Sequence, residues 1–142
     1  GSPLAVNNSR VQLTNDGLGG ATNRTYLPDG ISDLWSSDKI TPENIGDSYD
    51  VRLNFTAEVS SQNGYFDVEL DIGGGIGVIW GQTKVAPRTA NTPTNYSVTI
   101  PIFTLGTFIT NGGTIYIDST DGAYNVDVYD ISLFIKRDYA SA

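Results

Sequence analysis

The sequence predicts an all-β fold, an antiparallel β-sandwich similar to a jelly roll, with about eight strands and no substantial helix. Several segments place apolar residues at every second position, as half-buried strands do. Turn-forming clusters of Gly, Asn, Asp and Pro separate these segments at spacings of about 8–12 residues. No segment shows the period of an amphipathic helix. Because each sheet must bury its apolar face, we expect two sheets packed together.

The clearest alternation lies in residues 48–73. Apolar side chains occupy every second position in residues 49–59 and again in residues 66–72. Asn63 and Gly64 lie between these two segments and favour a tight hairpin turn. We therefore expect the two strands to pair with each other as one antiparallel ribbon.

The flanking segments predict shorter elements. Residues 11–13 and 23–27 are expected to form short edge strands between Gly-rich turns. Residues 41–46 (TPENIG) favour a single helical turn, with a proline at the first helical position and a closing glycine. Residues 73–77 are rich in glycine and are expected to loosen the chain, and residues 115–117 form a further short strand.

The last predicted strand runs from Tyr124 to about Lys136. Its apolar positions change phase between Val128 and Ile131. One extra residue moves every later side chain to the opposite face, so we predict a bulge or bend near Asp130.

Composition limits the function. The chain has 142 residues and is expected to form a single domain over residues 3–142, with Gly1 and Ser2 interpreted as a remnant of an expression tag. It contains no cysteine and no histidine. This excludes disulfides, thiolate metal sites and histidine acid–base chemistry, and we expect no cofactor.

The formal net charge of −8 disfavours a nucleic-acid partner, because binding phosphates requires clustered Lys and Arg. No apolar run approaches the roughly 20 residues that cross a bilayer. We therefore expect neither a nucleic-acid nor a membrane partner.

Two segments are apolar on both faces, namely residues 98–109 and 133–135. A strand of a sandwich normally keeps one face wet, so the second apolar face needs additional cover. One interpretation is a subunit interface that involves Ile102, Phe103, Leu105, Phe108 and Phe134. The alternative is that the strand is covered by the loops of its own chain, or that these residues are scattered exposed side chains.

The order of several short motifs is similar to a β-sandwich module of tailed-bacteriophage structural proteins. The motifs are residues 13–17 (LTNDG), 23–27 (NRTYL), 34–35 (LW), 46–53 (GDSYDVRL) and 136–137 (KR). The resemblance implies a non-enzymatic virion protein, commonly trimeric, that contacts other virion proteins. It implies a role in capsid decoration or at the globular end of a head or tail fibre.

Asp67, Glu69 and Asp71 lie on one face of a predicted strand. Glycosidases use two carboxylates that flank the scissile bond, and a hydrolase here would need a second acid across a cleft. We expect none, because a row of acids is also the solvated face of an ordinary strand.

Asp118, Asp121 and Asp127, with Asn125, are candidate oxygen ligands for calcium. Their spacing does not match the twelve-residue EF-hand loop, and a turn built from Asp and Gly is the plainer interpretation.

Trp35 and Trp80 are candidates for a stacking platform that binds a sugar ring of a cell-surface glycan. Tyrosines at positions 26, 65 and 96 could assist them. The alternative is that the tryptophans fill the space between the two sheets.

Overall fold

The computed structural model describes residues 3–14 and 33–141. The described residues form ten strands and one short helix. In chain order they are β1 (Leu4–Asn7), β2 (Arg10–Gln12), β3 (Trp35–Ser36), β4 (Lys39–Ile40), β5 (Ser48–Val59), β6 (Tyr65–Asp71), β7 (Val78–Val85), β8 (Thr94–Phe103), α1 (Gly106–Asn111), β9 (Thr114–Asp118) and β10 (Asn125–Tyr139). The strand predicted at residues 23–27 lies outside the described residues.

Eight strands form two four-stranded sheets. Sheet I has the order β1-β10-β5-β8 and sheet II the order β2-β9-β6-β7, while β3 and β4 form a small hairpin. Every pair is antiparallel. Without this hairpin the pairs are nested: β1 pairs with β10, β2 with β9, β5 with β8, and β6 with β7. This nested pairing is the jelly-roll order, so the predicted all-β sandwich is confirmed.

The predicted pairing of the two central strands is wrong. β5 pairs with β10 and β8 in sheet I, whereas β6 pairs with β7 and β9 in sheet II. The two apolar faces meet across the core instead, where the rings of Phe55 and Phe66 lie 6.0 Å apart. The turn at Asn63, which has a φ of 53°, therefore carries the chain from one sheet to the other. Its backbone amide donates to the carbonyl of Pro87 at 2.9 Å.

The alternation itself is confirmed along both strands. In β5 and β6 every apolar position of the prediction is buried and every intervening polar position is at least partly exposed. The buried side chains form one continuous core between the sheets. The period of two thus decides which face each residue occupies.

The bulge predicted in the last strand is confirmed. Tyr129 pairs with Thr56 but Ser132 pairs with Asn54, so β10 advances three residues while β5 advances two. Asp130 lies at this step with a φ of 50°. The extra residue lets both halves of β10 direct their apolar side chains toward the core.

Residues 98–109 are not one continuous strand. β8 ends at Phe103, and the six-residue helix α1 begins at Gly106. Phe108 is buried and anchors this helix to the core. A single helix residue in the core gives no period that a sequence pattern reveals, so α1 was not predicted.

No helix within residues 3–14 and 33–141 is long and apolar enough to cross a membrane.

The loop tips have defined geometry. The helical turn predicted at residues 41–46 does not form; the chain instead makes a tight turn at residues 44–46, where the amide of Asp47 donates to the carbonyl of Asn44 at 3.2 Å. The glycine-rich stretch after β6 does not loosen the chain. Gly74 and Gly75 have φ values of 59° and 80°, which suits a tight type I′ hairpin turn, and the turn is closed by a bond from Ile76 N to Gly73 O.

Candidate functional site

Four large apolar side chains are exposed near one end of sheet I. Phe103, Leu105, Phe134 and Tyr139 have between 57% and 63% of their surface in contact with solvent, and we call them the apolar strip. Phe103 and Tyr139 both pair with Ser48, one from each side. These two residues therefore flank Ser48 in one row across the sheet.

The other two members lie outside this row. Phe134 pairs with Arg52, which is four residues or roughly 13 Å further along β5. Leu105 immediately precedes α1 and lies two residues after Phe103. The strip therefore follows the outer face and one end of sheet I, opposite the core.

Charged residues interrupt the strip, because Asp50 and Lys136 are cross-strand partners between Phe134 and the row at Ser48. Arg52 Nε lies 3.3 Å from Asp50 Oδ2, and Lys136 Nζ lies 3.5 Å from Asp138 Oδ1. Interface cores are depleted of charged residues, so a partner would have to accommodate these charges between the apolar side chains. The exposed ion pairs themselves contribute little to stability.

The sequence-based interface prediction is partly wrong. Ile102 and Phe108 are buried in the core of their own chain, so neither is available to a partner. Phe103, Leu105 and Phe134 are exposed as the prediction requires. Tyr139 was missed because it follows polar residues at the end of a strand, where no apolar run marks it.

The outer face of sheet II carries an acidic cluster organised by Arg10. Its Nη2 donates to Asp71 Oδ2 at 2.8 Å, and its Nε lies 3.4 Å from Glu69 Oε2 and 4.0 Å from Asp118 Oδ2. The guanidinium carbon of Arg10 lies 3.6 Å from the centre of the Tyr116 ring, a cation–π contact. Strands β2, β9 and β6 are neighbours, which brings these residues together from three parts of the sequence.

The acids of this cluster differ in their titration. Burial raises the pKa of Glu69, and a hydrogen bond shared with Asp118 and the negative charge of Asp118 add to the increase. Burial also opposes ionisation of Asp118 and Asp71. Their hydrogen bonds outweigh it and hold both pKa values below the ordinary range.

A further acid lies beside the predicted row, but on the same sheet face and not across a cleft. Asp118 pairs with Asp67 in the neighbouring strand and lies close enough to Glu69 to raise its pKa. Glycosidase carboxylates stand about 5–9.5 Å apart on either side of the scissile bond. Asp118 and Glu69 lie side by side on one sheet face, so they do not flank a substrate from opposite sides as glycosidase carboxylates do.

The calcium candidates do not converge. Asp118 lies in sheet II and accepts two bonds from Thr120, at 2.9 and 2.6 Å. Asp127 lies in sheet I opposite Glu58, and Asp121 lies in the turn between β9 and β10. No group of three or more acidic side chains in the described part of the chain is placed to hold a metal ion. The carboxylate of Asp118 instead closes a local turn, the plainer of the two interpretations.

Neither tryptophan forms an exposed platform. Trp35 is buried in the core, and Trp80 is half-buried and packs against the core. Tyr96 stacks on Phe55 with ring centres 5.6 Å apart, so it also belongs to the packing between the sheets. The sugar-platform interpretation of Trp35 and Trp80 is therefore not supported by their positions.

A cleft of ≈ 220 Å³ lies beside the acidic cluster. The glycine turn after β6, the end of α1 and the start of β9 form its walls. Asp71 and Tyr116 belong both to the cluster and to the cleft. Sequence reasoning missed the cleft because its walls are brought together only by the order of strands in sheet II.

Comparisons with known proteins leave the family open. No family model and no curated protein matches the chain. Among solved structures, it is similar to an α-L-arabinofuranosidase crystallised with arabinose, with a TM-score of 0.42 and 16% identity. The match covers 94% of this chain and 26% of that protein. A likeness this distant carries no argument about function.

Proposed function

We propose that this protein is a non-enzymatic structural protein of a tailed-phage virion. In this proposal a jelly-roll module decorates the capsid or forms the globular end of a head or tail fibre, and it assembles as a trimer with other virion proteins. The apolar strip on an otherwise polar sheet face is the observation that carries the proposal. The motif order in the sequence supports the phage assignment, since it resembles such modules.

The size of the strip sets how strongly it can associate. Complete burial of one large apolar side chain contributes about 1.5–3 kcal/mol. The four residues of the strip are already partly covered, so their burial adds roughly 4–7 kcal/mol in total. Association costs about 4–15 kcal/mol in lost freedom. We therefore expect assembly to depend on concentration and to be completed by contacts with other virion proteins.

The chemistry of the other sheet supports a role without catalysis. The carboxylates of Glu69, Asp71 and Asp118 lie around Arg10 on one face of sheet II rather than on two sides of a cleft. The chain also has no histidine or cysteine to act as a base or a nucleophile.

Light scattering across micromolar to millimolar protein tests the assembly. We expect the mass to rise toward three times that of the monomer. Phe103→Ser and Phe134→Ser should shift this rise to at least tenfold higher concentration, since each removes about 1.5 kcal/mol or more from every interface. Ile76→Ser is the matched control, because Ile76 is 61% exposed but lies in the turn between β6 and β7.

Two results would contradict this assembly. One is a monomer at every concentration, and the other is an equal loss of mass in the Ile76 variant. Immunogold electron microscopy of the particles tests the virion assignment separately. We expect gold on the head or on the tail, and particles without label would overturn the assignment.

A further inference from the structure

The cleft beside sheet II owes its shape to glycine. Gly74 has a φ of 59°, and a β-carbon at this position would lie only 2.6 Å from Asn111 Nδ2 and 2.8 Å from Thr107 Cγ2. The turn therefore packs directly against the side of α1. Any side chain at Gly74 would strain the backbone and displace the ends of the Asn111 and Thr107 side chains.

Several polar groups around the cleft have hydrogen-bonding capacity to spare. Within the described residues, the side chains of Asn111, Thr114 and Tyr116 make no hydrogen bond, and all three line the cleft. Lys39 Nζ uses one of its three donors, in a 3.2 Å bond to the carbonyl of Asn111.

The Asp71 carboxylate at the edge of the cleft is held in place by two hydrogen bonds. Asp71 accepts from Gly73 N at 2.7 Å and from Arg10 Nη2 at 2.8 Å, one bond at each oxygen. A carboxylate has about four lone-pair positions, so each oxygen can accept a further bond. The carboxylate is thus a fixed acceptor at the edge of the cleft.

The mixture of groups indicates the class of ligand. Both donors and acceptors line the cleft, and a sugar hydroxyl both donates and accepts. The charges of Asp71, Glu69 and Asp118 are largely offset by those of Arg10 and Lys39, so the cleft strongly favours neither an anion nor a cation. Ligand sites are concave and carry a few convergent polar groups, as this cleft does.

We propose that the cleft binds one neutral saccharide unit, such as the end of a cell-surface glycan. The site uses none of the tryptophans that the sequence suggested, and it lies on the opposite sheet from the apolar strip. Binding here goes beyond the structural role, so the assembly proposal and the binding proposal can fail independently.

Saturation-transfer NMR with a panel of neutral pentoses, hexoses and their disaccharides tests the proposal. Glucuronate serves as the anionic probe and glucosamine as the cationic one. We expect transfer to at least one neutral sugar. Asn111→Ala and Tyr116→Phe should each weaken its binding about tenfold, and Tyr116→Phe keeps the ring that Arg10 covers. Gln62→Ala is the matched control, because Gln62 is exposed at the opposite end of β6.

Three outcomes would overturn the proposal. The first is an absence of transfer to every neutral sugar, and the second is binding of only a charged probe. The third is binding that the Asn111 and Tyr116 variants leave unchanged while their spectra and thermal unfolding match the parent protein. Weakened binding in both variants, with the Gln62 variant unaffected, would support the site.

Discussion

The backbone amide of Ser141 donates a hydrogen bond of 2.7 Å to Oδ1 of Asp47, which is fully buried just before β5. The hydroxyl of Ser141 donates to the same oxygen at 3.0 Å. The other oxygen accepts from Tyr49 at 2.9 Å and from the amide of Asn44 at 3.2 Å, with Arg137 Nη1 3.9 Å away. One carboxylate therefore joins the segment after β10 to the start of β5, at the end of sheet I where the apolar strip lies.

Asp47→Ala should destabilise the protein by about 3 kcal/mol. The substitution leaves the buried hydroxyl of Tyr49 and the partly buried amides of Ser141 and Asn44 without their acceptor, and such losses are costly when the acceptor is charged. Chemical denaturation measures the change. Asp138→Ala removes an exposed carboxylate of β10 and should cost less than about 0.5 kcal/mol. Equal costs for the two variants would show that the Asp47 network contributes nothing.

The same network predicts a loss of stability at alkaline pH. Burial, together with the bond to Asp47 and its charge, raises the pKa of Tyr49 to about 12 from an ordinary value of 10.0. A raised pKa in the folded state means that the neutral phenol is favoured by folding. The stability it contributes is complete below pH 10 and is lost as the pH rises toward 12.

The comparison of denaturation midpoints at pH 9 and pH 12 measures this effect. Tyr49→Phe should be less stable at pH 9, because it loses two hydrogen bonds, and should show a smaller decrease toward pH 12. Tyr139→Phe is the control, because Tyr139 is exposed and should leave the alkaline decrease unchanged. An identical decrease in the parent protein and in the Tyr49 variant would contradict the prediction.

Glu69→Gln should change the acid side of the stability profile. Because the pKa of Glu69 is raised in the folded state, its ionised form disfavours folding at neutral pH, and this penalty disappears as the pH falls through its folded pKa. Glutamine removes the charge and keeps a donor toward Asp118. The variant should therefore be more stable than the parent protein at pH 7 and lose that advantage toward pH 4.

Thermal unfolding between pH 7 and pH 3 checks the sign. Asp71→Asn is the informative contrast, because the lowered pKa of Asp71 means that its stabilisation is present at neutral pH and lost on acidification. That variant should be less stable than the parent protein at pH 7, with the difference shrinking at low pH. The same sign for both variants at pH 7 would contradict this account of the cluster.

The sequence predicted which face each residue of β5 occupies but not which strand lies beside it. Alternation at every second position follows from the pleat and is independent of the neighbour. Asn63 and Gly64 fit a hairpin turn, yet the same residues also serve a turn between sheets, and the core contact of Phe55 with Phe66 decides between them. Pairing over long sequence separations therefore had to come from the structure.

The sites show the same limit. The spacing of Glu69 and Asp71 places them on one strand face. Arg10 and Asp118 lie beside them only because β9 is between β2 and β6 in sheet II, which the sequence does not reveal. The interface was predicted from the number of apolar residues in 98–109, and the sequence does not show that β8 ends at Phe103. Phe108, for this reason, was assigned to a partner when it packs into its own core.

The bulge at Asp130 provides a direct test of how register is set. Its φ of 50° lies in the left-handed region, which aspartate tolerates better than a β-branched residue does. Asp130→Val should therefore destabilise the protein by about 1–2 kcal/mol, whereas Asp130→Gly should be close to neutral. Ser132→Val is the control, because Ser132 is also exposed in β10 but lies in the regular strand after the bulge.

Deletion of Asp130 should leave the facing of β10 unchanged, because Asp130 is the extra residue of the bulge. Without it, β10 and β5 both advance two residues from the Tyr129–Thr56 pair to the Ser132–Asn54 pair. Ile131, Leu133 and Ile135 would therefore still turn toward the core, and Phe134 and Lys136 would stay on the outer face. We expect the deletion variant to keep a cooperative thermal transition. A variant that loses this transition would mean that β10 needs the local bend and twist of the bulge, and not only its register.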